Sequence, residues 1–348
     1  MLSPQTLPET ATPDAAPLME MRGVTRHYPV ARSLPIGPRK VVKALDGVDL
    51  QVQQGKTLGI IGESGCGKST MARVLSGLEK PTAGQVLFEG HDINALRGAE
   101  RAQMRRNIQL IFQDPYASLN PRMTIEQILS EPFEIHPDIA KRGSRRANLG
   151  EMMELVGLNP DHLGRYPHNF SGGQQQRIGI ARGIALNPKV LICDEAVSAL
   201  DVSVRAQVVN LLDSLQRELG LSYVFIAHDL QIVRHISDSV ATMYLGRVIE
   251  TGSYAQVYDA SAHPYTQALL SAAPELRQDP AHARQLIMLQ GDPPSPIDPP
   301  SGCRFHTRCP VARPDCATSE PELDPVADGH RARCFYPGPI STELSQGD

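Results

Sequence analysis

No apolar run in this 348-residue sequence reaches the ~18–20 residues needed to span a bilayer; the longest, such as TLGIIG and YVFIA, have the length of strands. The chain is therefore not expected to cross a membrane by itself. The N-terminal stretch MLSPQTLPETATPDAAP has neither a basic segment nor an apolar core, which excludes a secretory signal. Its Pro, Thr and Ala content suits a disordered tail over residues 1–18, and a cytoplasmic protein is expected. Excess positive charge is also lacking. A formal net charge of −4 argues against binding nucleic acid by neutralising phosphates over a broad surface. No internal repeat is evident. Finally, the cysteines near the C-terminus, Cys303-x5-Cys309-x6-Cys316-x17-Cys334, lack the close pairs of a zinc ribbon.

What is present is enough apolar material, 41% of residues, for a real core, and length for about two domains at ~150 residues each. Runs at 18–30, 41–53, 56–62, 84–90, 108–113, 189–195, 221–229 and 239–252 read as strands, with a Pro/Gly/basic loop at 31–40. Amphipathic stretches lie between them, so the core is expected to be α/β. Residues 115–187 carry almost no strand pattern and read as an inserted helical subdomain. After HPYTQALLSAAP the chain becomes rich in Pro and Gly, which sets a loop-rich appendage at 263–348 apart from a core at 19–262.

GESGCGKST, Gly62 to Thr70, matches G-x-x-x-x-G-K-[ST] directly after an expected strand and before a helix, the context a phosphate-binding loop requires. Gly62, Ser64, Gly65, Cys66 and Gly67 would curl backbone N–H groups around a β-phosphate. Lys68 would reach the β- and γ-phosphates, and Ser69, followed by Thr70, offers a hydroxyl to Mg²⁺. In open α/β sheets ligands sit at the carboxyl ends of strands, and here several apolar runs end on polar residues: Gln113, Asp194 with Glu195, and His228. The combination fits phosphoryl transfer to water. Asp194 would serve the Mg²⁺ shell, Glu195 would polarise the attacking water, and Gln113 and His228 would contact metal, water or γ-phosphate.

A second anion site is expected in FSGGQQQRIGIAR. Ser171 and Gln174 form S-x-x-Q, a capping-box pattern that leaves the N–H groups of Gly172 and Gly173 free in the first turn of a helix running to about Leu186. One nucleotide held within one subunit does not need both anion sites. The economical solution is that Ser171, Gly172 and Gly173 face the γ-phosphate of a nucleotide bound by another subunit.

With these motifs the chain resembles the ATP-binding subunit of an ABC transporter over roughly residues 19–340. The loop GESGCGKST, FQDP, SGGQQQR, VLICDE, SALD and AHD occur in the order of that family. SLNPRMTI, HPYTQALLSAAP and PSPIDPPSGCRFHTRCP are similar to its dipeptide/oligopeptide importer branch. The resemblance implies a P-loop NTPase core of ABC type with an antiparallel β subdomain, an inserted helical subdomain and the C-terminal appendage. It also implies ATP and Mg²⁺, with Ser69, Gln113 and Asp194 serving the metal, Lys68, Gln113, Glu195 and His228 serving hydrolysis, and Tyr28 against the adenine.

As partners the resemblance implies a second, different ATPase subunit closing head to tail, two transmembrane permease subunits and a periplasmic peptide-binding protein. Nucleic acid is not among them. The chain would thus sit at the cytoplasmic face of the bacterial inner membrane through its partners, with residues 113–135 docking the permease. Some members carry a 4Fe–4S cluster on a cysteine-bearing tail, and Cys303, Cys309, Cys316 and Cys334 match it; zinc and free or disulfide-linked thiols stay open as alternatives. One departure stands out: relatives place Pro after the Glu of VLICDE, whereas here Ala196 follows, which would loosen the turn and slow hydrolysis without changing the carboxylate's chemistry. Chains of this family that act on DNA or ribosomes carry a long coiled coil or two cassettes, neither of which is present. Intact Lys68, Glu195 and His228 speak against a non-hydrolysing regulatory subunit, and the importer-like tail speaks against an exporter.

Overall fold

The structure, a computed structural model, describes residues 16–30, 40–114, 118–137, 139, 145–273 and 286–340. The loop expected at 31–40 and the N-terminal tail fall almost wholly outside the described residues. The strands are β1 (Met19–Pro29), β2 (Val41–Val52), β3 (Thr57–Ile61), β4 (Ala83–Phe88), β5 (His91–Asp92), β6 (Ile108–Ile111), β7 (Val190–Asp194), β8 (Ser222–Ile226), β9 (Ser239–Tyr244), β10 (Arg247–Ser253), β11 (Asp324–Ala327) and β12 (His330–Ala332). The α-helices are α1 (Lys68–Leu75), α2 (Gly98–Asn107), α3 (Ile125–Ile135), α4 (Arg145–Leu155), α5 (Gly172–Ile184), α6 (Val202–Leu219), α7 (Leu230–Ile236), α8 (Tyr254–Asp259) and α9 (Pro264–Ser271). The fold is α/β. It divides into two compact units, one built mainly of residues 88–227, the other of 20–51, 58–87 and 228–348.

In the first unit β6, β7 and β8 run parallel, with Cys193 opposite Phe225 and Asp194 opposite Ile226. All of β7 and β8 is buried, which is why VLICD and SYVFI read as continuous apolar runs: parallel strands are covered on both faces and cannot alternate. Helix α5 packs on β6 and on α3, α4 and α6. Thr124 and Gln127 cap α3 reciprocally, as Ser171 and Gln174 cap α5.

In the second unit β3 pairs parallel with β9, and β9, β10, β12 and β11 continue antiparallel. The single run expected at 239–252 is two strands. Leu245 and Gly246 both have positive φ and reverse the chain, so β10 folds back on β9. Strands β1, β2 and β4 are neighbours in a separate sheet, in the order β2-β1-β4.

Residues of the expected appendage are joined to this second unit through a buried carboxylate. Glu250 of β10 has no exposed surface; it accepts from the backbone N–H groups of Ala262 (2.6 Å) and His263 (3.1 Å) and meets Nε2 of His330 at 2.8 Å. His263 in turn caps α9, its Nδ1 accepting from the Tyr265 N–H at 3.1 Å. Burial pushes the His263 imidazole down to about 4, against the pull of Glu250. A depressed histidine contributes fully above its unfolded value of 6.5 and loses that contribution as pH falls towards 4, because the unfolded chain takes up the proton first. Between those pH values the loss should reach about 3 kcal/mol. Denaturant midpoints measured at pH 7 and pH 5 should show it, and His263→Asn, which keeps a capping acceptor without a titration, should flatten the difference.

Candidate nucleotide site

In the second unit, β3 delivers Gly62–Gly67 to the start of α1. Gly67 caps the helix at φ 113°, and a Cβ there would lie 2.2 Å from the carbonyl oxygen of Ala44. Only glycine meets both conditions, so the loop can turn its N–H groups towards a ligand at a helix N-terminus. Gly62 and Cys66 are buried, Ser64 and Gly65 exposed, and Ser69 and Thr70 half-buried. Burial pushes the Cys66 thiol up, so it is a filler beneath the loop and not a nucleophile. Lys68 is 6% exposed, and its ammonium donates to the carbonyl oxygens of Gly62 (2.8 Å) and Glu63 (2.9 Å). The cation is therefore held by the loop's own backbone, poised at the turn where a phosphate would take over from the carbonyls.

Tyr28 belongs to the same unit. Its hydroxyl donates to Glu79, and the Arg26 guanidinium lies 4.5 Å above its ring. Arg26 and Arg73 also grip Glu79, at 3.0 and 3.3 Å. The ring is half-buried and fixed in orientation, with Arg26 already on one face.

The first unit carries the strand-end residues. Asp194, 9% exposed, closes β7. Glu195 follows at φ +49°, a left-handed conformation that costs a non-glycine residue about 1–3 kcal/mol. That turn is well tied down even with Ala196 in place of proline. The Glu195 N–H donates to the Ile226 carbonyl at 2.9 Å, and the Glu195 carbonyl accepts from both the N–H (3.0 Å) and the hydroxyl (2.9 Å) of Ser198. The Gln113 amide donates to the Glu195 carboxylate at 2.7 Å, so two residues 82 positions apart meet as the strand-end argument expects. His228, exposed, sits just after β8, and it is placed in the second unit. Arg205 of α6 holds the carbonyls of Ser198 and Leu200, which rigidifies the SALD turn.

The start of α5 has the expected reciprocal cap: Gln174 N–H to Ser171 Oγ at 3.4 Å and Ser171 N–H to Gln174 Oε1 at 3.0 Å. Gly173 is buried, and a Cβ would lie 2.2 Å from Cγ1 of Val204, so its side is closed by α6. Gly172 and Ser171 remain accessible.

The four C-terminal cysteines are all free and line one pocket together with His263, Phe305 and Tyr336. Burial pushes the thiols of Cys309 and Cys334 up to about 12 and about 11, and the other cysteines nearby add to this. Yet among the described residues no group of three or more His, Cys, Asp or Glu side chains could hold a metal ion. The structure thus brings the quartet into one pocket without presenting the metal-binding group that a cluster or zinc reading expects.

Residues 45–198 match the family described as "ABC transporter", and residues 249–316 match "Oligopeptide/dipeptide transporter, C-terminal region". The chain belongs to the ATP-binding subunits of ABC transporters, in their oligopeptide/dipeptide branch. It is 52% identical over 320 residues to the oligopeptide transport ATP-binding protein AppF of Bacillus subtilis, covering 91% of this chain and 96% of the relative. It is 50% identical over 321 residues to the dipeptide transport ATP-binding protein DppF of Escherichia coli, covering 92% and 94%. Among solved structures, the dimeric ATP-binding cassette MJ0796 bound to ADP and Pi matches with a TM-score of 0.59 at 29% identity, covering 68% of this chain and 98% of that one. The fold and the ATPase class of the chain are those of an ABC cassette.

Inspection of the sequence missed the partners that hold the phosphate loop from afar, Tyr265 and Arg308, because no local pattern marks a contact 202 or 245 positions away. In the loop itself, Gly67→Ala should abolish MgATP binding and lower stability by several kcal/mol, since φ and space both forbid the methyl group. Gly65→Ala, at φ +78° but with nothing within 4 Å, should cost only about 1–2 kcal/mol. Calorimetric titration with MgATP and thermal melts of both variants check the contrast.

Proposed function

We propose that this chain hydrolyses ATP in a pocket completed by a second ATPase subunit and thereby drives import of peptides through a permease in the bacterial inner membrane. The observation that carries the reading is the pair of helix N-termini at Gly67–Lys68 and Ser171–Gly172, each with glycine at its cap or in its first turn and each free of an acidic side chain in its first turn. The relatives' names, oligopeptide and dipeptide transport ATP-binding proteins, supply the solute class. The dimeric state of MJ0796 supports a head-to-tail pair, and we take the partner to be a different ATPase subunit.

In this reading Lys68 leaves its loop carbonyls for the β- and γ-phosphates, and Tyr28 stacks on the adenine. Glu195, oriented by Gln113, accepts a proton from the attacking water, while His228 steadies the γ-phosphate. Ser69, Gln113 and Asp194 offer the oxygen donors that Mg²⁺ takes, and the ion would offset phosphate charge. Ser171, Gly172 and Gly173, followed by Gln174, serve the nucleotide of the other subunit. Among the described residues no helix is long and apolar enough to cross a membrane. In this reading, which the relatives' names support, the chain meets the bilayer through permease partners fed by a periplasmic binding protein. The docking surface is a groove of ≈ 270 Å³ beside Gln113, where Phe112 and Ile135 leave apolar surface exposed next to Glu131 and Arg182.

Glu195→Gln in the assembly purified from membranes should bind MgATP normally and lose roughly 10²–10⁴-fold in turnover, the share of a general base. Near-normal turnover would remove Glu195 from its role, and co-purification of no permease would remove the import reading.

For the appendage, the family resemblance supports a 4Fe–4S cluster on Cys303, Cys309, Cys316 and Cys334, which line one pocket, although among the described residues no group of three or more such side chains could hold a metal ion. The test is iron, sulfide and zinc analysis of anaerobically purified chain. About four irons per chain are expected, and a colourless, iron-free sample sinks the cluster.

A further inference from the structure

The phosphate loop GESGCGKST contains one acidic residue, Glu63, directly after Gly62. Its charge is met from the far end of the chain. Arg308 lies in CRFHTRC, between Cys303 and Cys309, and its two terminal nitrogens donate to the two carboxylate oxygens of Glu63 at 2.8 and 3.0 Å. The fork-to-fork geometry is the strongest form of this ion pair, and the Arg308 side chain is 7% exposed against 27% for Glu63.

The rest of the loop's support comes from the same place. The Tyr265 hydroxyl accepts from the Glu63 N–H at 2.8 Å, and Tyr265 packs with Tyr244 and Phe305, ring centroids 4.7 and 5.4 Å away. Phe305 anchors the CRFHTRC turn in that aromatic cluster. Four residues before Arg308, Arg304 reaches the Leu245 carbonyl and Asp46. The turn is therefore fixed independently of Glu63 and carries Arg308 to it as a preset cation.

We propose that Arg308 is a positioning residue for ATP binding: it neutralises Glu63 and keeps that carboxylate turned aside, so that Lys68 is available to the phosphates and no unpaired negative charge opposes them. Without Arg308, Glu63 would repel the triphosphate and compete for the Lys68 ammonium, whose present partners include the Glu63 carbonyl. The inference rests on the reading of Gly62–Thr70 as the nucleotide loop.

The test is MgATP affinity of the full chain by calorimetry, with KM and kcat of the assembled transporter. Arg308→Ala should raise Kd and KM about tenfold and leave kcat within about twofold, the pattern of lost ground-state binding. Adding Glu63→Gln to Arg308→Ala should bring Kd back to within about threefold of the parent, because the offending charge is then gone. Arg308→Lys, which keeps charge without the fork, should fall between. If Arg308→Ala does not fold, Arg308→Gln carries the same comparison. An unchanged Kd, or a loss that Glu63→Gln does not relieve, overturns the role, the second result marking Arg308 as purely structural. Lys68→Ala separates the two levels: a variant that still binds MgATP like the parent sinks the loop reading, and the role of Arg308 with it.

Discussion

A polyanion can be gripped by backbone N–H groups only where no side chain stands in front of them, and that constraint governs the most sensitive parts of this chain. At Gly67 the φ angle and the Ala44 carbonyl together exclude any Cβ. At Gly173 the exclusion comes from Val204, packed so close that a methyl group could enter only by moving α6 against α5. The two helix starts exclude a Cβ by different means, Gly67 by its φ angle and a backbone carbonyl and Gly173 by helix packing. Each then presents the positive end of a helix with no acidic residue in its first turn.

Several carboxylates of the chain have their position enforced by their neighbours. Glu195 is enforced by strain and by hydrogen bonds: a left-handed φ, a strand-end N–H pinned to Ile226, a carbonyl pinned by Ser198, and a carboxylate held by Gln113. With Ala196 following Glu195, the turn is thus constrained from the other side by Ser198. Glu79 is restrained by Arg26, Arg73 and the Tyr28 hydroxyl, and Asp46 by Arg304, Arg247 and His27. Glu63, Glu79 and Asp46, all in the second unit, are each met by arginine.

Much of this was legible in the residues alone because the relevant signals are local. The glycine-lysine loop after an apolar run, the S-x-x-Q cap and the polar residues that end buried parallel strands each lie within a few positions, and the structure places Gln113 on Glu195 and Gln174 on Ser171 accordingly. The turn at Leu245–Gly246 was not legible, since apolar residues continue through it and only φ marks the reversal. Nor were the pairs Glu63–Arg308 and Glu250–His330, which close over 245 and 80 positions and follow from tertiary packing alone. The family resemblance, not the cysteine spacing, pointed to a cluster; that the four thiols line one pocket without forming a close metal-binding group among the described residues could not be read from the sequence.

These long pairs change what the C-terminal segment is. A loop-rich stretch with few regular elements would have little reason to hold its shape by its own hydrogen bonds, since its β-strands are only three and four residues long. It is instead ordered by what it clasps: Phe305 enters the Tyr244–Tyr265 cluster, His330 and Glu250 share a buried contact, and Arg304 and Arg308 take the carboxylates of Asp46 and Glu63. Clasping is reciprocal. The turn between Cys303 and Cys309, held by Phe305 in the aromatic cluster and by Arg304 on the Leu245 carbonyl, is also the turn that carries Arg308 to Glu63.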